Sequence, residues 1–164
     1  MKRRLALVAI ALSVVGADRL SKQLIDDMSR ETLPVDLLGT WARLVYGENH
    51  GGLFGLAQGS APLLAALSVG VIVLLVFVHE RERASRVTLM TIALGTLAGG
   101  AIGNLVDRLH YGYVLDFIDV GVGTLRFWTF NLADAGITTG ILLLLADAIL
   151  PERILPSIRT GRAR

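Results

Sequence analysis

The chain has 164 residues, 53% of them apolar, with 16 basic against 14 acidic side chains and a formal charge of +2. A mean hydropathy of +0.61, carried by uncharged blocks of membrane-spanning length, excludes an ordinary soluble domain and gives a polytopic membrane protein. The absence of cysteine excludes disulfides and thiolate chemistry, the scattered His50, His79 and His110 give no metal-ligand spacing, and basic residues held in separate clusters argue against nucleic acid as a partner.

The first apolar block runs from Leu5 to Ala17 behind Lys2, Arg3 and Arg4. Alone it has the form of a signal peptide cut after Ala17. Leu20, Leu24 and Ile25 carry the pattern past Asp18 and Arg19, however, so a span over 5–25 is expected. Residues 33–56 are too interrupted by charge and glycine to span and read as short strands, with Trp41 and Tyr46 suited to the membrane boundary. The second span, 61–78, opens with Pro62 in its first turn, where a missing amide proton costs nothing, and ends in the charged run 79–83.

The third span, 87–106, is about 30 Å long as a helix. Gly95, Gly99 and Gly103 recur along one of its faces, where a neighbouring backbone can approach closely. Residues 112–128 are rich in Val, Phe and Gly and read as strands with a turn at Gly121–Gly123. The fourth span, 131–150, starts polar, becomes fully apolar and stops at Pro151, with Asp147 at the interface and a basic tail at 155–164.

Orientation follows from the basic residues. Lys2, Arg3 and Arg4, then Arg81, Arg83 and Arg86, then Arg153, Arg159, Arg162 and Arg164 fall on one side of four spans. Both termini are therefore expected in the cytoplasm, with the two strand-forming segments outside as a small sheet over the helix ends. Five polar clusters collect on that outward side: Asp18–Lys22, Glu48–Gly55, Gly103–Arg108, Val114–Asp119 and Phe130–Ile137.

A charge moved toward hydrocarbon costs about 2.5–3.5 kcal/mol at mid-span, so such clusters need a reason. Two converging carboxylates supply one: an ionised aspartate takes a proton from water while its protonated neighbour hydrogen-bonds the carbonyl under attack. Spacing leaves open which of Asp107, Asp116, Asp119 and Asp134 would pair. Asp134 is also explained as an acid in the first turn of the last helix, Asp18 and Lys22 as an i,i+4 salt bridge, and Asn49 and Asn131 as turn or cap residues. Asn104 and Arg108 lie four apart and can face one pocket, while Asp107 and Arg108 can equally pair at the interface. Ser21 and Lys22 point about 100° apart on a helix, which disfavours a Ser–Lys nucleophile.

The five clusters, in this order, resemble the lipoprotein signal peptidase (type II signal peptidase) family. The resemblance covers nearly the whole chain and rests on Asp18 with Lys22, Asn49 to Phe54, Gly-Asn-Leu-Val-Asp-Arg at 103–108, Val-Leu-Asp-Phe at 114–117 and Phe-Asn-Leu-Ala-Asp at 130–134. It implies an all-α integral membrane fold of four transmembrane helices with a small extracytoplasmic β-sheet, forming one membrane-embedded domain. It also implies an aspartic-type endopeptidase whose catalytic pair is Asp116 and Asp134. Asn49, Asn104, Arg108 and Asn131 match substrate-binding positions, and Asp18, Lys22 and Asp107 supporting ones.

The implied substrate is a bacterial prolipoprotein carrying a diacylglyceryl-modified cysteine, cleaved on the N-terminal side of that cysteine at the cytoplasmic membrane. Membrane lipid is the other expected partner, with the chain acting as a monomer and using no metal or cofactor. Three positions depart from the family pattern: Gly52 for alanine, Trp128 for proline and Ala135 for serine. A small proton- or ion-coupled transporter is the rival reading, but it needs polar residues deeper in the spans than this chain has.

Overall fold

In the computed structural model, residues 1–28, 32–51, 61–82, 84 and 86–150 are described. Gly52–Gly55 of the second polar cluster, Arg83 and the tail at 155–164 lie outside them. Four long helices, α1 (Lys2–Asp27), α2 (Ala61–Arg81), α3 (Leu89–His110) and α4 (Leu132–Ile149), carry a sheet made of β1 (Val35–Asp36), β2 (Ala42–Asn49), β3 (Val114–Val122) and β4 (Leu125–Arg126). By length and composition α2, α3 and α4 are each able to cross a membrane. α1 falls short of that apolar standard because Asp18, Arg19 and Lys22 interrupt it.

Each boundary has a local cause. α3 begins where Thr88 accepts from the Thr91 amide in a capping box. It outruns the expected 87–106 because Asp107 and Arg108 find partners within the protein and need no loop to reach water. α4 begins at a second capping box, between Asn131 and Asp134.

α3 is the central helix: it packs against the other three and is buried over most of its length, whereas α2 and α4 are largely exposed. Exposed large apolar side chains line the outsides of α2 and α4, as a lipid-facing surface requires, and of α1 as well. The regular glycines of α3 hold α1. A Cβ on Gly99 would lie 2.7 Å from the Ala11 carbonyl oxygen, and one on Gly103 would lie 2.7 Å from Asp18 Oδ2. Gly100 takes the adjoining face, against Ala133 and Ile137 of α4. Tight packing is therefore what this stripe does.

The sheet is antiparallel in the order β1-β2-β3-β4. Its last turn lies one or two residues beyond the expected Gly121–Gly123. Gly121 is inside β3, hemmed in by Leu125 and Arg126. The tight turn is Gly123–Thr124, where φ of +56° at Gly123 lies in the left-handed region that favours glycine. Asp119, one of the four candidate acids, pins this sheet. It accepts from Arg43 Nη2 at 2.6 Å and Arg126 Nε at 3.0 Å, so Arg126 first, then Arg43, hold its carboxyl below the usual range.

At the opposite end of the bundle Arg3 donates to the backbone carbonyls of His79, Glu82 and Ala84, and Arg4 pairs with Glu80. The start of α1 and the end of α2 thus meet at the end remote from the sheet. Forcing a methyl group into the α1–α3 contact should cost about 1–3 kcal/mol. Gly99→Ala is expected to lower the thermal midpoint in detergent, whereas Gly16→Ala, with no heavy atom within 4 Å of its Cβ, does not lower it.

Candidate active site

The site starts from a strand and a returning chain. Phe130 bridges Ile118 in both directions, its amide donating to the Ile118 carbonyl at 3.1 Å and its carbonyl accepting from the Ile118 amide at 2.8 Å. That pairing lays residues 130–132 along β3 and sets the first residues of α4 beside Asp116. Asn131, fully buried, then does two things at once. Its Oδ1 accepts from the Asp134 amide at 2.9 Å as the helix cap, and its Nδ2 donates to Asp116 Oδ1 at 2.7 Å. The cap expected of this residue is present, and its amide nitrogen is spent on Asp116.

Asn104 completes the link from α3. Its Nδ2 donates to Asp134 Oδ1 at 2.7 Å, and its Oδ1 accepts from Asn131 Nδ2 at 3.2 Å. Asn49, at the end of β2, donates to Asp116 Oδ2 at 3.0 Å. Asp116 and Asp134 are thus wired into one hydrogen-bonded set through Asn131 and Asn104. Burial first, and the charge of Asp134 second, push the Asp116 carboxyl up to about 7, while Asn49 and Asn131 pull it back.

Behind this set lies a buried ionic core. Lys22 Nζ is 2.7 Å from Asp18 Oδ2 and 2.7 Å from Asp107 Oδ2, and reaches Asn104 Oδ1 at 3.5 Å. Asp107 also takes Arg19 Nη1 at 2.7 Å and the Leu115 amide of β3 at 3.4 Å. Asp18 Oδ1 accepts from the Ala133 amide at 2.9 Å, a second cap on α4 supplied by α1. The i,i+4 pair of Asp18 and Lys22 exists as expected. Arg19 was missed; its signal was a third charge beside that pair, which an apolar helix would not carry idly.

Of the expected site residues, Asp18, Lys22, Asn49, Asn104, Asp107, Asp116, Asn131 and Asp134 fall in this one network. Arg108 stands at its edge, donating to the Asn104 carbonyl at 3.3 Å. It lines, with Asn104 and Asp134, the polar end of a groove of about 340 Å³ between α2, α3 and α4. The rest of the groove is Leu64, Leu67, Val71, Leu97 and Ile137, with Ser68 and Ala101. Asp119 stands outside the network, held by the sheet arginines. Of the three departures, Trp128 stacks on Phe127 at 3.7 Å before α4. Ala135 lies in the first turns of α4, and Gly52 is outside the described residues. Among the described residues no group of three or more His, Asp or Glu side chains could hold a metal ion.

Comparison with known proteins gives the family and the fold. The family model for signal peptidase II matches residues 10–150. The chain is 37% identical over 145 residues to the lipoprotein signal peptidase of Moorella thermoacetica, covering 87% of this chain and 91% of that protein. It is 43% identical over 154 residues to that of Caulobacter vibrioides, covering 88% and 86%. A solved bacterial membrane enzyme shares the fold with a TM-score of 0.77 at 24% identity, over 96% of this chain and 92% of that one. A second gives 0.78 at 25%, over 87% and 92%. A mostly helical membrane fold with a small antiparallel sheet, matched in sequence from the first helix to the last, makes this chain a member of the signal peptidase II family of aspartic endopeptidases.

Proposed function

We propose that the chain is a single membrane-embedded peptidase domain that cleaves diacylglyceryl-modified prolipoproteins before the lipidated cysteine, with Asp116 and Asp134 activating water. The observation that carries this reading is the joining of those two aspartates, through Asn131 and Asn104 at 2.7 Å each, with Asp134 lining the polar end of a largely apolar groove. A lipid-bearing substrate needs both features: an apolar wall open toward lipid and reactive groups only at its outer end.

Asp116, raised to about 7, carries the proton and donates it to the scissile carbonyl oxygen. Asp134 takes a proton from water, and the resulting hydroxide adds to the carbonyl carbon. On collapse the carbon–nitrogen bond breaks, the proton on Asp134 goes to the leaving cysteine nitrogen, and Asp116 regains its own from the hydroxyl that becomes the acid. Asn49 and Asn131 hold Asp116, and Asn104 holds Asp134, so the pair stays aimed through the cycle. Arg108 and Asn104 line the polar end of the groove and hold the substrate there; Asp18, Lys22 and Asp107 support them from behind.

α1 is the fourth span in this reading. Its 26 residues give about 39 Å of helix; of the charges that spoil its hydropathy, Asp18 and Lys22 are turned inward and paired, at 0% and 4% exposure, and the more open Arg19 pairs with Asp107. Leu5, Val8, Leu12, Leu20 and Leu24 face out instead. The basic end, where Arg3 and Arg4 meet the end of α2, is cytoplasmic. The sheet and both aspartates then face outward from a bacterial inner membrane, and one chain contains the whole site. Collection of the polar groups at one end favours this over a proton- or ion-coupled conduit.

Asp116→Asn and Asp134→Asn are each expected to lower cleavage of a lipidated prolipoprotein by purified protein roughly 10²- to 10⁴-fold with the thermal midpoint retained; turnover near wild type in either variant refutes the pair. The pH profile carries a second test. Asp116 must keep its proton, so activity falls as pH rises through about 7. Because the Asn49 hydrogen bond favours the ionised form, Asn49→Leu should move that limb to higher pH, and a limb that stays put or moves down would exclude Asp116 as the titrating group.

A further inference from the structure

The outward ends of α1 and α3 and the β2–β3 pair enclose a second cavity, of about 310 Å³, which shares no lining residue with the groove. Lys22 stands in the wall between them, lining this cavity and donating to Asn104 of the other. Three aromatic rings border it: Tyr46, Tyr111 and Tyr113. The Tyr111 and Tyr113 centroids are 5.7 Å apart with planes 30° from parallel, and the Tyr46 and Tyr113 hydroxyls meet at 3.4 Å. Tyr46 donates onward to Asp26 at 3.0 Å.

The charges divide cleanly. Arg19 and Lys22 are matched by Asp107 and Asp18, two against two. Asp26 and Asp27, also in the wall, have no ion pair among the described residues. Among the described residues the lining is therefore net negative, and it is bordered by three aromatic rings, the combination that binds an ammonium group. Tyr111 already accepts a cation at the near edge, with the Arg19 guanidinium carbon 5.9 Å above its centroid. The Arg19 side chain keeps 37% of its surface open, which leaves it able to face an anion just outside the ring.

We infer that this cavity binds the headgroup of an ammonium-bearing phospholipid such as phosphatidylethanolamine, its ammonium among Tyr46, Tyr111, Tyr113, Asp26 and Asp27 and its phosphate toward Arg19. A lipid is the occupant because the cavity sits at the outward end of α1, beside Leu20 and Leu24, which are 64% and 68% exposed. These offer acyl chains a path down the outside of the helix. The inference rests on the membrane placement of α1 and not on the catalytic pair, so its failure would leave the dyad untouched.

The test is native mass spectrometry of the purified full chain in detergent, titrated separately with dioleoyl phosphatidylethanolamine and dioleoyl phosphatidylglycerol. Phosphoethanolamine and a lysine amide serve as soluble arms. The ethanolamine lipid is expected to be retained roughly 5- to 10-fold better than the glycerol lipid. Asp26→Asn combined with Asp27→Asn, and separately the exposed Tyr111→Leu, should each erode that preference. Phosphoethanolamine should compete for the site and the lysine amide should not. Equal retention of the two lipids, a preference unchanged in both variants, or competition by the lysine amide alone would overturn it.

Discussion

Everything at the sheet-bearing end of this molecule hangs on one requirement, that the ions buried there be mutually satisfied. Asp18, Lys22 and Asp107 are almost completely enclosed. Removing one partner of such a set leaves a stranded charge, at about 3–5 kcal/mol. The cluster is also where three helices and a strand meet: Asp18 and Lys22 come from α1, Asp107 from α3, while the cluster's oxygens accept the Ala133 amide of α4 and the Leu115 amide of β3. Its geometry thus fixes the directions from which Asp116 and Asp134 arrive.

The same requirement explains the glycines. Gly103 lies against Asp18 because a Cβ there would strike the carboxylate. Gly99 and Gly95 then let α1 run down α3 without diverging, so the contact that places the ions and the contact that packs the helices are one contact. In a bilayer, where apolar side chains gain little by leaving lipid for protein, close backbone approach and satisfied polar groups carry the association. α1, which falls short as an isolated apolar span, is held in the bundle by these contacts.

Much of this was legible in the sequence, and the failures have physical reasons. Helix positions followed from apolar blocks because length and charge are local quantities. Gly95, Gly99 and Gly103 were read correctly as a packing face, and Asp18 with Lys22 as an i,i+4 pair. What could not be read was the third partner. Asp107 lies 85 residues beyond Lys22 in the chain, and nothing local to either says that they touch. Asp119 was a fair candidate acid on residue type and became a sheet pin only because Arg43 and Arg126 converge on it from two other strands. Asn131 was legible as a cap, but its second bond was not: its oxygen caps α4 while its nitrogen holds Asp116, fifteen residues earlier on another element.

The separate fates of Asp116 and Asp119 follow from strand geometry. Three residues apart on β3, they point to opposite faces of the sheet, one toward Asn131 and the other toward Arg43. Pairing with β2 would by itself deny Asp116 its second amide. From Ala42↔Val120 to Leu44↔Ile118 the partners run in step, but Gly47 then faces Asp116, so β2 carries one residue more than β3 across that interval. Such a bulge reverses which face each later residue of β2 presents. With Gly47 opposite Asp116, Asn49 two residues on shares the face of Asp116 and reaches its Oδ2; in unbroken register Tyr46 would stand there and Asn49 would point away. Gly47 also lets the strands close, since a Cβ on it would lie 3.1 Å from the Asp116 carbonyl oxygen. This irregularity of the β2–β3 pair is thus what gives Asp116 an amide on each oxygen, and it places a functional constraint at Val45 and Tyr46, where neither residue need touch the substrate.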